Sequence, residues 1–327
     1  MNDMIMALFS DRLFMAAVGV YVLAMVLHAA EYAVGRTTRA PALVAAADGG
    51  GAGGAEAAGP DAGPGRADRL GRAAVNLVVL GALLQLGSIV ARGLATDRWP
   101  LGNMYEFTSV FCLAAVLTWL VVLRRTPALR AVGLFVLLPV VILLFLGGTV
   151  LYARAAPVVP ALRSYWLVVH VTTITVSSGL LIVPGVASAL FLLRSAPGGE
   201  PAGPAGARTG LRGRLPGVLG DRLPSAAALD RLAYRTTIVA FPLYTFGVIA
   251  GAIWAEAAWG RFWGWDPKET VAFVAWVVYA AYLHARATAG WRTGRAAWIN
   301  VAGLAAVLFN LFFINMVVAG LHSYAGL

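Results

Sequence analysis

Cysteine is all but missing from this chain: Cys112 stands alone among 327 residues. A single thiol excludes a disulfide framework within the chain and any Cys-x-x-Cys redox pair, so thiol chemistry at this protein needs thiols brought by another molecule. Charge is scarce as well, at 12% of residues, and lysine occurs once, as Lys268. With a mean hydropathy of +0.78, the chain is too apolar for a soluble domain of its length and reads as an integral membrane protein. Neither strand-like alternation nor an internal repeat is visible, which leaves an all-α class. The net charge of +10 invites a nucleic-acid partner. The basic residues are instead spread over alternate loops, where they set membrane orientation, and no nucleic-acid partner is expected.

What the chain has is apolar length. Runs of roughly 20 apolar residues predict about eight spans, near 13–34, 74–91, 105–123, 131–152, 166–193, 236–255, 270–286 and 297–319. Together they form one transmembrane domain over 1–327, and the first is expected to be a retained anchor. Flexible cytoplasmic linkers are expected at about 40–70, densest in Ala, Gly and Asp over 43–65, and at 196–224. Ser225 to Arg235 reads as a short amphipathic helix at the inner surface. Eighteen basic residues fall in one alternate set of loops (36–72, 124–130, 194–235 and 286–295). Seven fall in the other: Arg12, Arg92, Arg98, Arg154, Arg163, Arg261 and Lys268. The positive-inside rule then puts both termini outside, together with the segment described next.

That segment is Trp254-Ala-Glu-Ala-Ala-Trp-Gly-Arg-Phe-Trp-Gly-Trp-Asp-Pro-Lys-Glu-Thr270, which holds four of the ten tryptophans. The spacing of Trp259, Trp263 and Trp265 presents indole faces to one side of a short helix or loop, a surface suited to a flat aromatic ligand. An interfacial tryptophan belt fits the same residues. Asp266-Pro267-Lys268-Glu269 is also a good helix start, with Asp as N-cap, Pro at the first position and Glu three residues after the cap.

Histidine is as sparse as lysine is unique: His28, His170, His284 and His322 are the only four. Any one of them is readable as a residue hydrogen-bonded across helices. Taken together, His28 and His284 fall in the inner half of the bilayer, and His170 and His322 at its outer edge. Two levels of paired imidazole suit axial ligation of haem iron at successive depths. A zinc site would gather three or four ligands at one point. Among charged residues, Glu31 is the main one placed inside a span.

Six segments resemble the CcsA/ResC family, the haem-handling half of the cytochrome c synthase of the maturation route called System II. They are Pro100-Leu-Gly-Asn-Met-Tyr-Glu-Phe107; Leu162-Arg-Ser-Tyr-Trp-Leu-Val-Val-His-Val171; Leu229-Asp-Arg-Leu-Ala-Tyr-Arg235 with Phe241-Pro-Leu; the tryptophan segment, which matches the family's WWD signature; Tyr282-Leu-His-Ala-Arg286; and Gly320-Leu-His-Ser-Tyr324. The resemblance implies that haem b enters at His28 and His284 and moves outward to His170 and His322. These two flank a platform formed by Trp254, Trp259, Trp263, Trp265, Asp266 and Lys268. It further implies holocytochrome c synthase activity with a ResB-type partner subunit, in the bacterial cytoplasmic membrane, on an apocytochrome c that presents Cys-x-x-Cys-His. Nothing in the chain resembles the partner's large external domain. Lys268 is placed to pair with a haem propionate, or equally to be a solvated interfacial charge. Asn103 and Glu106 either line the site or pin an external loop.

Two rival haem readings are a System I haem-delivery protein of the CcmC type and an electron-transfer subunit holding haem b between helices. Eight spans, the Asn-Met-Tyr-Glu loop and the C-terminal His-Ser-Tyr disfavour the first, and the position of His322 beyond the last span disfavours the second. A polytopic scaffold or ion carrier is disfavoured by the near absence of charge within the spans. The basic asymmetry is checked with reporter fusions at residues 55 and 327, which should report opposite sides of the membrane; a shared side would overturn the span count.

Overall fold

The computed structural model describes residues 2–37, 65–156, 164–195, 223–288 and 294–322. Every regular element among them is helical: α1 (Asn2–Thr37), α2 (Arg66–Thr96), α3 (Met104–Arg125), a 3-10 segment (Pro127–Val132) running into α4 (Gly133–Thr149), α5 (Tyr165–Leu180), α6 (Ile182–Ser195), α7 (Ala226–Trp259), α8 (Pro267–Ala287) and α9 (Gly294–Phe309). A π-helical turn (Asn310–Ile314) and the three-residue α10 (Asn315–Val317) end the series. Eight stretches are long and apolar enough to cross a membrane, α5 and α6 together making one of them. The protein is a multi-pass membrane protein, as the hydropathy pattern predicts.

Boundaries differ from expectation in three places. The first span begins at Asp3 rather than near residue 13, and the second at Arg66, so the last residues given to the first linker are helix. The separate surface helix over 225–235 does not exist. Ser225 caps a single helix that runs to Trp259, its hydroxyl accepting the Ala228 N–H. The remaining linker residues, 40–64 and 196–222, lie outside the described residues. Between α5 and α6 the ladder breaks at Leu181, because Pro184 has no N–H to offer the Leu180 carbonyl.

The best-defined seam joins α1 to α2. Ser10, Phe14, Ala17, Tyr21, Ala24 and His28 are the buried positions of α1, alternating steps of four and three. On α2 the matching set runs through Gly71, Ala74, Val78, Gly81, Gln85, Ser88 and Arg92. That 3.5-residue repeat keeps one stripe of each helix on its partner, and its small side chains allow the close approach that packing in lipid requires. Ser10 and Ser88 each donate a hydroxyl to the other's carbonyl at 2.8 Å, and the Tyr21 hydroxyl donates to Gln85 Oε1 at 2.8 Å.

Each end of this seam carries an ion network. At one end Arg130 bridges Glu31 at 2.6 Å and Asp68 at 2.9 Å. At the other, Glu106 accepts from Arg92 Nε at 3.1 Å, from Arg98 at 2.7 and 3.0 Å, and from the Gly102 N–H at 2.7 Å. Arg92 also donates to the Ala153 carbonyl and lies 3.6 Å from Asp11. Asn103 accepts the Glu106 N–H at 2.9 Å as N-cap of α3. The loop 97–103 is therefore pinned from both sides. Replacing Glu106 with Ala would take the closest carboxylate from Arg92, which is 2% exposed, leaving it Asp11 at 3.6 Å and the Ala153 carbonyl, and would release Arg98, at a cost of up to about 3–5 kcal/mol. Thermal unfolding of the detergent-solubilised variant should show this loss, and an unshifted transition would contradict the pinning role.

Candidate functional site

Close to the Glu106 end, α5, α7, α8 and the π turn enclose a cavity of about 410 Å³, within the ~300–1,000 Å³ range of small-molecule and cofactor sites. Its lining is apolar and aromatic, with few polar groups. The pinned 97–103 loop closes one side through Trp99, Leu101 and Asn103. Trp99 is held by its indole N–H, which donates to Thr172 Oγ1 at 2.8 Å.

Two of the four histidines meet here. His170 Nδ1–H donates to the Gly247 carbonyl at 2.8 Å; a carbonyl only accepts, so Nδ1 carries the proton and Nε2 keeps its lone pair. Among the described residues nothing hydrogen-bonds that Nε2. The imidazole lies parallel to Trp254, centroids 6.3 Å apart and planes 5° off. It sits against Gly251, where a Cβ would come within 2.6 Å of the ring, so only glycine admits it. His322, beyond the last helix, touches Trp254 at 6.1 Å and Trp259 at 5.2 Å. Its Nδ1–H donates to Asp266 Oδ2 at 2.8 Å. Both imidazoles line the cavity.

Asp266 organises this corner. It is N-cap of α8 in a capping box with Glu269, as the sequence predicts, and Glu269 in turn accepts the Gly264 N–H at 2.9 Å. Asp266 also receives the Leu321 N–H at 2.6 Å. Gly320 is obligatory beside it, since a Cβ there would lie 2.6 Å from Oδ1. The carboxylate thus ties the α8 N-terminus to the segment carrying His322. Burial alone would raise its pKa. Hydrogen bonds from the His322 ring and from the Leu321 and Lys268 N–H groups outweigh that and hold it at about 2.

The tryptophans divide. Trp254, Trp259 and Trp263 line the cavity, whereas Trp265 does not. Trp265 sits at φ 56°, a left-handed conformation that costs an L-residue roughly 1–2 kcal/mol. It turns outward, is 68% exposed, and packs edge-on against Trp263 and Phe273. Lys268 is not a solvated charge: it lines the cavity, is partly buried, and donates to Asn315 Oδ1. The π turn brings Asn310 to the wall, where its amide donates to the Lys268 carbonyl at 3.3 Å. Composition and motif gave no hint of Gly251, Asn310 or Asn315.

The other two histidines are not brought together. His28 is fully buried in the α1 seam, edge-on to Trp119 at 5.7 Å and 3.3 Å from Glu31. Among the described residues its buried Nε2 has no hydrogen-bond partner. His284 is exposed on α8. Among the described residues no hydrogen bond, ion pair or ring contact joins the two.

These features define a class: a polytopic membrane protein with two imidazoles lining one indole-walled cavity at one end of its bundle. Residues 101–322 match the family model described as Cytochrome C assembly protein. The curated Cytochrome c biogenesis protein CcsA of Parasynechococcus marenigrum (strain WH8102) is 38% identical over 273 residues, covering 76% of this chain and 85% of the relative. Its counterpart in Gloeobacter violaceus is 36% identical over 287 residues, covering 75% and 84%. The chain belongs to the cytochrome c assembly family, among the CcsA proteins, and its role is in cytochrome c biogenesis. His170, His284 and His322 fall within the matched residues; His28 does not.

Because the Asp266 pKa is depressed below its ordinary 3.8, the stability it supplies is present above that value and lost as pH falls through about 2. The gap in thermal stability between the wild-type protein and Asp266→Asn should hold from neutral pH to about 4 and close below it. A gap independent of pH would show the carboxylate to be uninvolved.

Proposed function

We propose that this protein handles haem b as a substrate, holding it in the cavity between His170 and His322 for covalent attachment to an apocytochrome c. The carrying observation is that each imidazole has its Nδ1–H committed, His170 to the Gly247 carbonyl and His322 to Asp266. Such second-sphere bonds fix the tautomer and orient Nε2 toward a metal. The size and aromatic lining of the cavity suit a flat macrocycle, and Trp254 backs both rings. Two cations line the cavity, and of these Arg98 is paired with Glu106, which leaves Lys268, oriented by Asn315, to meet a propionate.

Attachment needs no oxidant. Each thiol of Cys-x-x-Cys-His adds across a vinyl group, sulfur to one carbon and hydrogen to the other. The thiols must come from the apocytochrome, since Cys112 is buried against the Val140 carbonyl in the α3–α4 interface. The basic asymmetry supports an external position for the cavity, in a bacterial cytoplasmic membrane, and a ResB-type subunit would complete the synthase. On the cytoplasmic side, His284 is the exposed histidine and the one that haem can reach from the bilayer. His28 has a packing role in the α1–α2 seam, next to Glu31.

His170→Ala or His322→Ala should abolish c-type cytochrome formation, with partial rescue by added imidazole. Asp266→Asn should weaken haem retention by roughly 10–100-fold. Loss of His284 should lower haem content at normal protein abundance, whereas loss of His28 should lower abundance. A double replacement of His170 and His322 that left the haem spectrum unchanged would overturn the reading.

A further inference from the structure

Between His284 and the cavity the middle of the bundle is filled with packed side chains. Below the cavity Tyr279, Thr237 and Asn300 are all fully buried, and the Asn300 amide donates to Thr237 Oγ1 at 3.0 Å. On the outside of α8 the situation is reversed. Phe273, Val277, Ala281 and His284 are all exposed, and steps of four, four and three put them on one helix face. Eleven residues separate the ends of this stripe, ~16 Å along the axis.

Its upper end is joined to the cavity by rings in contact. Trp263, a cavity residue, meets Phe273 at 6.2 Å. Phe273 lies parallel to Trp276, 6.0 Å away and 6° off, and Trp276 meets Phe241 of α7 at 5.5 Å. A tryptophan belt does not explain Trp276. It lies nine residues into α8, ~14 Å from the helix start, near the middle of a hydrocarbon layer ~30 Å thick and well below headgroup depth. Its N–H, which lipid cannot satisfy, is bonded to Thr245 Oγ1 at 2.9 Å, and that bond fixes the ring plane.

We propose that haem moves from His284 to the cavity along the lipid-facing surface of α8, over Val277 and the Phe273–Trp276 rings, and enters beside Trp263. Parallel and edge-on aromatic surfaces at 5–6 Å spacing offer a flat apolar macrocycle a continuous track with no strong trap between its two ends. The proposal rests on the haem-handling reading above and names its path.

A histidine placed on the track should act as such a trap. Val277→His and Ala281→His are compared with Leu83→His, which is also exposed but lies on α2, with all proteins purified at matched abundance from cells that express the cytochrome c client. The expected result is that the two α8 variants retain more haem than the wild-type protein, as an added low-spin species, and lose c-type cytochrome formation, while Leu83→His behaves as wild type. If all three behave as wild type, haem travels elsewhere and the proposal falls. If all three retain haem equally, any lipid-facing histidine captures membrane haem and the proposal falls too. Failure of the underlying reading looks different: the wild-type protein would carry no haem, and His170→Ala would leave cytochrome formation intact.

Discussion

The carboxylate of Asp266 is the constraint on which the rest of this site depends. One side chain starts α8, receives the Leu321 N–H and holds the His322 ring. Without it the segment after α10 loses its hydrogen bonds to the start of α8, ring contacts with Trp254 and Trp259 still hold His322, and that imidazole loses the partner that fixes its tautomer. The backbone around it is shaped to fit. Gly320 leaves room for the carboxylate, and the left-handed turn at Trp265 brings the chain round to place Asp266 at the helix start. Strain of that kind persists only where surrounding interactions over-determine it, and the capping box with Glu269 supplies them.

The two ends of the bundle are built for different purposes. At the cavity end, charge is used to hold a loop: two arginines converge on Glu106 so that Trp99 and Asn103 form a wall. At the opposite end, Arg130 clamps Glu31 and Asp68 across α1, α2 and the 3-10 segment before α4, which locks the helices around His28. The first arrangement leaves space beside it, and the second fills space. That difference separates a histidine that lines an open cavity from one that completes a helix seam.

Much of this was legible in the sequence. The number of spans, the all-helical class and the Asp-Pro-Lys-Glu helix start follow from apolar run length and cap chemistry, both of which act locally. Depth and the family resemblance together suggested placing His170 beside His322, and the structure sets both on one cavity. The same reasoning paired His28 with His284, which the structure leaves apart. Depth says nothing about which face of a helix a residue occupies, and in helices apolar all round no polar stripe marks the packed side. The seam of α1 was encoded instead in small residues (Ser10, Ala17, Ala24) alternating with rings (Phe14, Tyr21, His28) at 3.5-residue spacing. Trp265 was grouped with its neighbours for a related reason: a single residue at positive φ reverses a side chain, and no local preference of tryptophan announces it. Gly251 and Asn310 act through contacts between distant helices, which a single sequence does not display.

The central claim is that His170 and His322 together hold one haem iron. Magnetic and electronic spectroscopy of the purified ferric protein, with its histidines labelled by nitrogen-15, tests it most directly. The account predicts a low-spin iron coupled to two imidazole nitrogens, reduced to one when either His170 or His322 is replaced. A high-spin iron, or two-imidazole ligation that survives both replacements, would contradict it.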